Sequence, residues 1–383
     1  MKRSTDRILT THAGSLPRPA ELLSLISAHE SGKPVDATEL DTVVRSAVKK
    51  IVKKQADDGV DVLNDGEQSK PSYSTYVKDR MTGFGGESSF AEVSAPRADL
   101  AEFPDFAQKV AAEYVTGTST PLKFAACDGP ISYQNLAAVE SDIENLKTAV
   151  RGVKAEDLFL SAASPGVIEM FFPNRYYPNK EAYLEAIATT MREEYEAIHR
   201  AGIVLQLDCP DLAIPIVGTP IDEFRRDIAL RVEALNHAVA NIPAEAMRIH
   251  VCWGNWEMPR KNDVPLKAIV DILLTAKPSG MMLMASNGRH AHEWKVFEDV
   301  KLPEGKYLIP GVLDTTTNVI EHPEVVAQRL TLYARVVGKE NVMAGTDCGF
   351  GTGAGMQRVV PSVVWAKLQA MTEGAALASK ELW

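Results

Sequence analysis

Short apolar runs alternate with long amphipathic segments along most of this chain, and nearly every run ends in polar or conformationally special residues. No other feature constrains the fold as tightly. Candidate strands lie at 7–11, 60–64, 122–127, 157–162, 203–207, 247–252, 281–286, 307–313 and 342–347. Helical segments such as 38–58, 180–201 and 222–241 separate them; the first carries Leu40, Val43, Val44, Ala47, Val48, Ile51 and Val52 at helical spacing. Repeated strand–helix units imply a parallel sheet. Special residues follow many of the strands: Asp65-Gly66-Glu67, Ser164-Pro165-Gly166, Asp208-Cys209-Pro210-Asp211, His250 and Cys252, Asn287-Gly288-Arg289, Asp314 and Asp347-Cys348. Chemistry spread over many strand ends is the arrangement of a (β/α)8 barrel. A doubly wound sheet gathers it at one crossover, commonly with an early GxGxxG, and none follows the first strand. We therefore expect an α/β fold of the (β/α)8 TIM-barrel type, with 122–127 as the element outside the eight staves.

The length of 383 residues suits one such barrel with an insertion, and no second-domain boundary is evident, so 1–383 reads as a single domain. The insertion is expected at about 70–121, where Gly83, Gly85, Gly86, Ser88, Ser89 and Pro96 break the alternation. Loops of that length in compact domains are commonly functional or disordered, and this one reads as a lid or rim over the site or, equally, as a surface excursion with no role. A net charge of −10 without a basic run argues against nucleic acid or an anionic membrane as partner. No apolar h-region follows Met1-Lys2-Arg3-Ser4, and no apolar stretch reaches membrane-spanning length. A reducing cytoplasm is the expected compartment. There, the four cysteines read as metal ligands or core thiols rather than disulfides. The glycine-rich run 349–355 reads either as an anion cradle or as a flexible connection into the last helix.

One strand, Met247-Arg248-Ile249-His250-Val251-Cys252, ends in a histidine and a cysteine two residues apart. Residues i and i+2 of a strand share a face, so His250 and Cys252 can aim at one point. Cys348 closes a later strand. One histidine and two cysteines suit zinc with a fourth position left open. From spacing alone, the same three residues also read as core side chains at strand ends.

Read in order, Thr11-His12-Ala13-Gly14-Ser15-Leu16-Pro17-Arg18-Pro19, Asp65-Gly66-Glu67, Leu207-Asp208-Cys209-Pro210, His250-Val251-Cys252, Asn287-Gly288-Arg289-His290, Gly311-Val312-Leu313-Asp314 and Thr346-Asp347-Cys348-Gly349 resemble the cobalamin-independent methionine synthase family. The likeness is to single-barrel relatives of its catalytic half and covers nearly the whole chain; uroporphyrinogen decarboxylase shares the architecture. The resemblance implies a (β/α)8 barrel holding Zn2+, which activates a thiol for alkyl transfer, most simply methyl transfer from methyl-folate to homocysteine. It implies His250, Cys252 and Cys348 as zinc ligands. Ser15, Glu67 and Asp208 match positions that hold the amino-acid substrate. Taken without the resemblance, these three read as a residue near a helix N-cap, a solvated loop carboxylate and a turn aspartate.

Two positions depart from the family pattern. Met284 stands where methionine synthases carry a glutamate ligand, and a thioether is a weak ligand for zinc; Glu257 or Asp347 is a nearby carboxylate that could substitute. Thr315-Thr316-Thr317 follows Asp314 where the family carries a general-acid histidine, and threonine cannot protonate a leaving nitrogen near neutral pH. A His-x-Cys…Cys site without the glutamate also resembles epoxyalkane:coenzyme M transferase, in which zinc activates the thiol of coenzyme M to open an epoxide. Asp314, His290 and His292 are the candidate acids, and Arg289 is a candidate anion ligand. A barrel that binds a small molecule without turnover is the non-enzymatic alternative. Association into a homo-oligomer is left open.

Overall fold

The computed structural model describes residues 1–89, 92, 98–109, 124–134 and 136–383. Its centre is a six-stranded parallel sheet of β1 (Val62–Leu63), β4 (Asp157–Ala163), β5 (Val204–Asp208), β6 (Met247–Val251), β7 (Gly280–Met284) and β8 (Tyr307–Gly311), in that order. The intervening β2 (Gly86–Glu87) and β3 (Ala125–Ala126) form a separate antiparallel pair. The segment 122–127 thus contributes, within its described residues, an element outside the main sheet. Every residue of β5 to β8 is buried. A sheet covered on both faces favours apolar runs, and β7 reads as one, while β5 and β6 carry Gln206, Asp208, Arg248 and His250 at alternate positions.

The expected first and last strands are reduced to isolated bridges, Thr10 with Ala344, Leu308 with Val342 and Gly311 with Gly345. Thr11 N donates to Ala344 O (2.8 Å), and Val62 N donates to Thr10 O (3.0 Å). Side chains take the other backbone partners: Leu9 N donates to Ser4 Oγ and Thr10 N to Asp61 Oδ2, which shortens the ladder there. The sheet is therefore a parallel half-barrel, with two further segments hydrogen-bonded to each other and to its edge strands.

Leu9, Val62, Phe159, Val204, Met282, Tyr307, Ile309 and Met343 fill the inner face. A larger apolar cluster lies between the sheet and the surrounding helices, including Lys180–Arg200, Ile221–Ala238 and Pro361–Leu382. Asp36 caps the helix Ala37–Asp57 through the amides of Thr38 and Glu39, and Asn179 caps Lys180–Arg200 through that of Ala182. No helix among the described residues is long and apolar enough to cross a membrane.

Residues 90, 91, 93–97 and 110–121 of the expected insertion, and 122–123 of the expected strand 122–127, lie outside the described set. The described remainder contains a 3-10 turn at Thr75–Asp79 and a short helix, Ala98–Glu102. That helix is tied to the loop after β6: Asn262 Nδ2 donates to Asp99 Oδ1 at 2.9 Å, and Lys261 pairs with Glu102.

Candidate metal centre

β6 carries His250 into the sheet interior, and Cys252 follows directly after its last residue on the same side. The segment bridged at 342–345 brings Cys348 alongside. One ligand atom from each of His250, Cys252 and Cys348 lies within 4.8 Å of the other two, and all three residues are buried. The loop carrying Cys348 is fixed to the start of the chain by Thr346, whose Oγ1 accepts from Ala13 N (3.1 Å) and donates to Cys348 O (2.8 Å). Gly254 N donates to Cys252 Sγ at 3.1 Å.

The thiol of Cys252 is pulled well below its usual range, first by a hydrogen bond from Cys348 and then by His250, against the effect of burial. Burial opposes the protonated form of His250, yet hydrogen bonds to Asp208 and Cys252 push it up to about 10. Protons and a metal ion would compete for these same atoms, so a metal held there would bind more tightly as pH rises.

A cavity of about 770 Å³ opens beside the three residues and is lined by Ser15, Glu67, Asp208, His250, Cys252 and Cys348 among others. Glu67 adopts φ 54° at the tight turn after β1, where its amide is held by Asp65 Oδ1 at 2.9 Å. Its Oε1 accepts from Ser161 Oγ at 2.7 Å, while its buried Oε2 has no partner among the described residues. An unpaired buried oxygen of this kind costs about 1–3 kcal/mol, which a bound cation would recover. Burial, and next the charge of Asp208, push the Glu67 carboxyl up to about 7, with Lys70 opposing. Gly14 makes room for this carboxylate: with φ 124°, a Cβ there would lie 2.5 Å from Glu67 Oε1. Ser15 Oγ accepts from Gly351 N at 3.3 Å, and among the described residues no acceptor takes its own proton.

The remaining expected positions lie elsewhere. Arg289 is exposed and donates to Lys261 O at 2.7 Å; His292 is exposed. His290 is buried between Asp263 (3.0 Å) and Glu293 (2.9 Å), with its ring against Trp253. Asp314 accepts from Thr316 N and Oγ1. None of these four is among the residues lining the cavity. Asp347 spends its carboxylate on the amides of Ala285, Ser286 and Asn287, and Glu257 is exposed.

Residues not singled out in the sequence complete the wall. Tyr73 and Glu92, both from the insertion, line the cavity, as does Asn255. Asn255 donates to Gly349 O (2.8 Å) and accepts from Thr315 Oγ1 (2.7 Å), joining three loops. A second cluster of potential ligands, His29, Glu30 and Asp79, is already bridged by the Lys78 ammonium.

Residues 166–376 match the family model for the catalytic domain of cobalamin-independent synthases. Over 377 residues the chain is 25% identical to a methionine synthase of Saccharolobus islandicus, an alignment covering 97% of this chain and 95% of that protein. It is 24% identical to the Sulfurisphaera tokodaii methionine synthase, covering 97% and 93%. Among solved structures, it is similar to a B12-independent methionine synthase from Shewanella sp. W3-18-1, described in complex with selenomethionine, with a TM-score of 0.74 at 21% identity and 98% and 99% of the two chains covered. A putative vitamin-B12-independent methionine synthase from Listeria monocytogenes superposes with a TM-score of 0.66 at 17% identity, covering 98% and 99%.

Proposed function

Since the chain belongs to the cobalamin-independent methionine synthase family, we propose that it is a zinc-dependent methyltransferase acting on the thiol of homocysteine. The observation that carries this reading is the meeting of His250, Cys252 and Cys348 in one cavity wall with Ser15, Glu67 and Asp208. The proposal also takes the bridged segments around Thr10 and 342–345 as the two staves completing a (β/α)8 barrel. The relatives named above are methionine synthases, which gives the epoxide-opening alternative no support.

The donor set fits zinc. Ligand bonds of about 2.0–2.3 Å in a tetrahedron put ligand atoms roughly 3.5–3.8 Å apart, within the spread found for the three residues. Zinc bound there supplies a Lewis acid that lowers the pKa of a thiol, the condition for a nucleophilic sulfur near neutral pH. The chain's own residues bind and orient. Glu67 Oε2 and Asp208 offer carboxylate oxygens to the substrate ammonium, and Ser15 Oγ donates to its carboxylate. Burial of this end of the cavity strengthens each contact. Arg289, His290, His292 and Asp314 take no contact with reacting atoms in this reading.

The test is metal content and product formation with purified protein. The reading expects one zinc per chain, lost on substitution of Cys252 or Cys348, and methionine formed from homocysteine with an activated methyl donor. A protein that takes up no zinc, or zinc-loaded protein that methylates no thiol from any donor, would overturn it.

A further inference from the structure

Two neighbouring strands place four polar side chains in a square inside the sheet. In the ladder between β5 and β6, Gln206 pairs with Arg248 and Asp208 pairs with His250. The two residues of each strand are separated by two positions and so share a face. All four are buried, Gln206 and Arg248 completely. A hydrogen-bonded chain runs through them: Arg248 Nε donates to Gln206 Oε1 (2.8 Å), Gln206 Nε2 donates to Asp208 Oδ1 (2.9 Å), and the same oxygen contacts His250 Nδ1 (3.1 Å).

The orientation of the Gln206 amide is forced. A guanidinium only donates, so the amide of Gln206 must present its oxygen to Arg248 and its nitrogen to Asp208. Gln206 Nε2 also donates to Ala13 O at 2.6 Å, which no amide oxygen could do. Arg248 is held at its other nitrogens by Thr11 Oγ1 and His12 O, both at 3.0 Å, and lies 3.8 Å over the Phe159 ring. Asp208 Oδ1 therefore accepts from Gln206 and faces His250 Nδ1, and among the described residues nothing donates to its Oδ2; Asp208 itself lines the cavity.

We infer that Gln206, anchored by Arg248, is a positioning residue that serves the metal centre and the substrate pocket together through Asp208. By fixing Asp208 Oδ1 it keeps a proton of His250 on Nδ1, so the nitrogen offered to a metal is Nε2, which lies 3.3 Å from Asp347 O and would exchange its proton for the metal. By the same bond it turns Asp208 Oδ2 toward the substrate ammonium. The inference rests on the metal-centre reading proposed above.

The experiment compares the zinc-loaded wild-type chain with Gln206→Met, which keeps volume and removes both amide bonds. Outer partners of metal-bound histidines typically change metal affinity by 10–100-fold. The zinc dissociation constant, read by competition with a chromophoric chelator, should rise by that factor. Methionine, which lacks a thiol, should also bind more weakly. A folded variant with wild-type affinity for both would overturn the inference while leaving the zinc reading intact. Should the variant fail to fold, 15N spectra of histidine-labelled wild type decide, with the His250 signal assigned by its loss in His250→Asn. A proton on Nδ1 in the zinc-loaded protein supports the inference, and a proton on Nε2 overturns it. Wild-type protein that takes up no zinc removes the premise, and the inference falls with it.

Discussion

The thioether sulfur of Met284 lies 4.0 Å from Sγ of Cys252 and accepts from Trp253 N at 3.3 Å. Position 284 closes β7 beside the candidate metal centre, and its side chain is directed at one of the three candidate ligands. A glutamate of similar length would bring a carboxylate to the same place. Met284→Glu is therefore expected to add an oxygen as the fourth ligand to bound zinc. A thiol would then have to displace it, so thiol affinity should fall and methyl transfer slow. X-ray absorption at the zinc edge, with and without homocysteine, reads the change in sulfur count. An unchanged zinc shell and unchanged thiol affinity would mean that position 284 has no influence on the metal.

Glu67 gives a pH dependence whose sign is fixed. Its carboxyl is pushed up to about 7, above the usual 4.5, chiefly by burial. Between those values the folded protein holds more protons than the unfolded one, so this group's contribution to stability falls as pH rises. Binding an ammonium needs the carboxylate. Affinity for methionine should rise from pH 6 to pH 8 and level off above that, weakening about tenfold for each unit below 7. Calorimetry in buffers of different ionisation heat should show proton release on binding at pH 6. Glu67→Gln should bind more weakly at pH 8 and lose this proton release. A wild-type affinity flat across the range would refute the assignment.

Metal removal should be visible as lost stability. Zinc that binds only the folded chain stabilises it by RT ln(1 + [L]/Kd), about 4 kcal/mol at a thousandfold excess over Kd. Adding a chelator should therefore lower the Tm of the wild-type protein. The same chelator should leave Cys348→Ser unmoved, because that variant has already lost a ligand. Equal chelator shifts in both proteins would place the stabilising metal elsewhere.

His250 and Cys252 were legible because a strand has period two, and the run that leads to them alternates apolar residues with Arg248. Cys348 needed the second fact that another run ends in cysteine. The square of Gln206, Asp208, Arg248 and His250 left a fainter trace, polar residues at alternate positions of two buried strands; only the register places them opposite one another. The use of Asp347 was not legible. Its carboxylate closes three amides some sixty residues away in sequence, and nothing local distinguishes that from a ligand. His290 read as a candidate acid because histidine titrates near neutrality. Its enclosure by Asp263 and Glu293 depends on how the loops after β6 and β7 meet.

The donor of the methyl group is the sharpest remaining test, and it turns on Thr316. A methyl-folate leaves through a nitrogen that departs as an anion unless it is protonated, so that donor needs an acid. At position 316 the hydroxyl and the backbone amide both donate to Asp314 Oδ1, at 2.7 and 2.6 Å. The hydroxyl is committed, and threonine does not release a proton near neutral pH. The neighbouring Thr315 reaches the cavity wall through Asn255, so this turn sits within one residue of the site. Methyl transfer from methyl-folate to homocysteine by the zinc-loaded wild-type protein is thus expected to be slow or undetectable. Thr316→His should raise it, since a positioned general acid contributes typically 10²–10⁴-fold. The measurement is methionine formed per chain over time, with metal content checked in both proteins. Wild-type turnover of roughly 1 per second or more, the range of ordinary enzymes, would show that another group delivers the proton. A zinc-replete Thr316→His protein no faster than wild type would mean that the turn after β8 does not reach the donor.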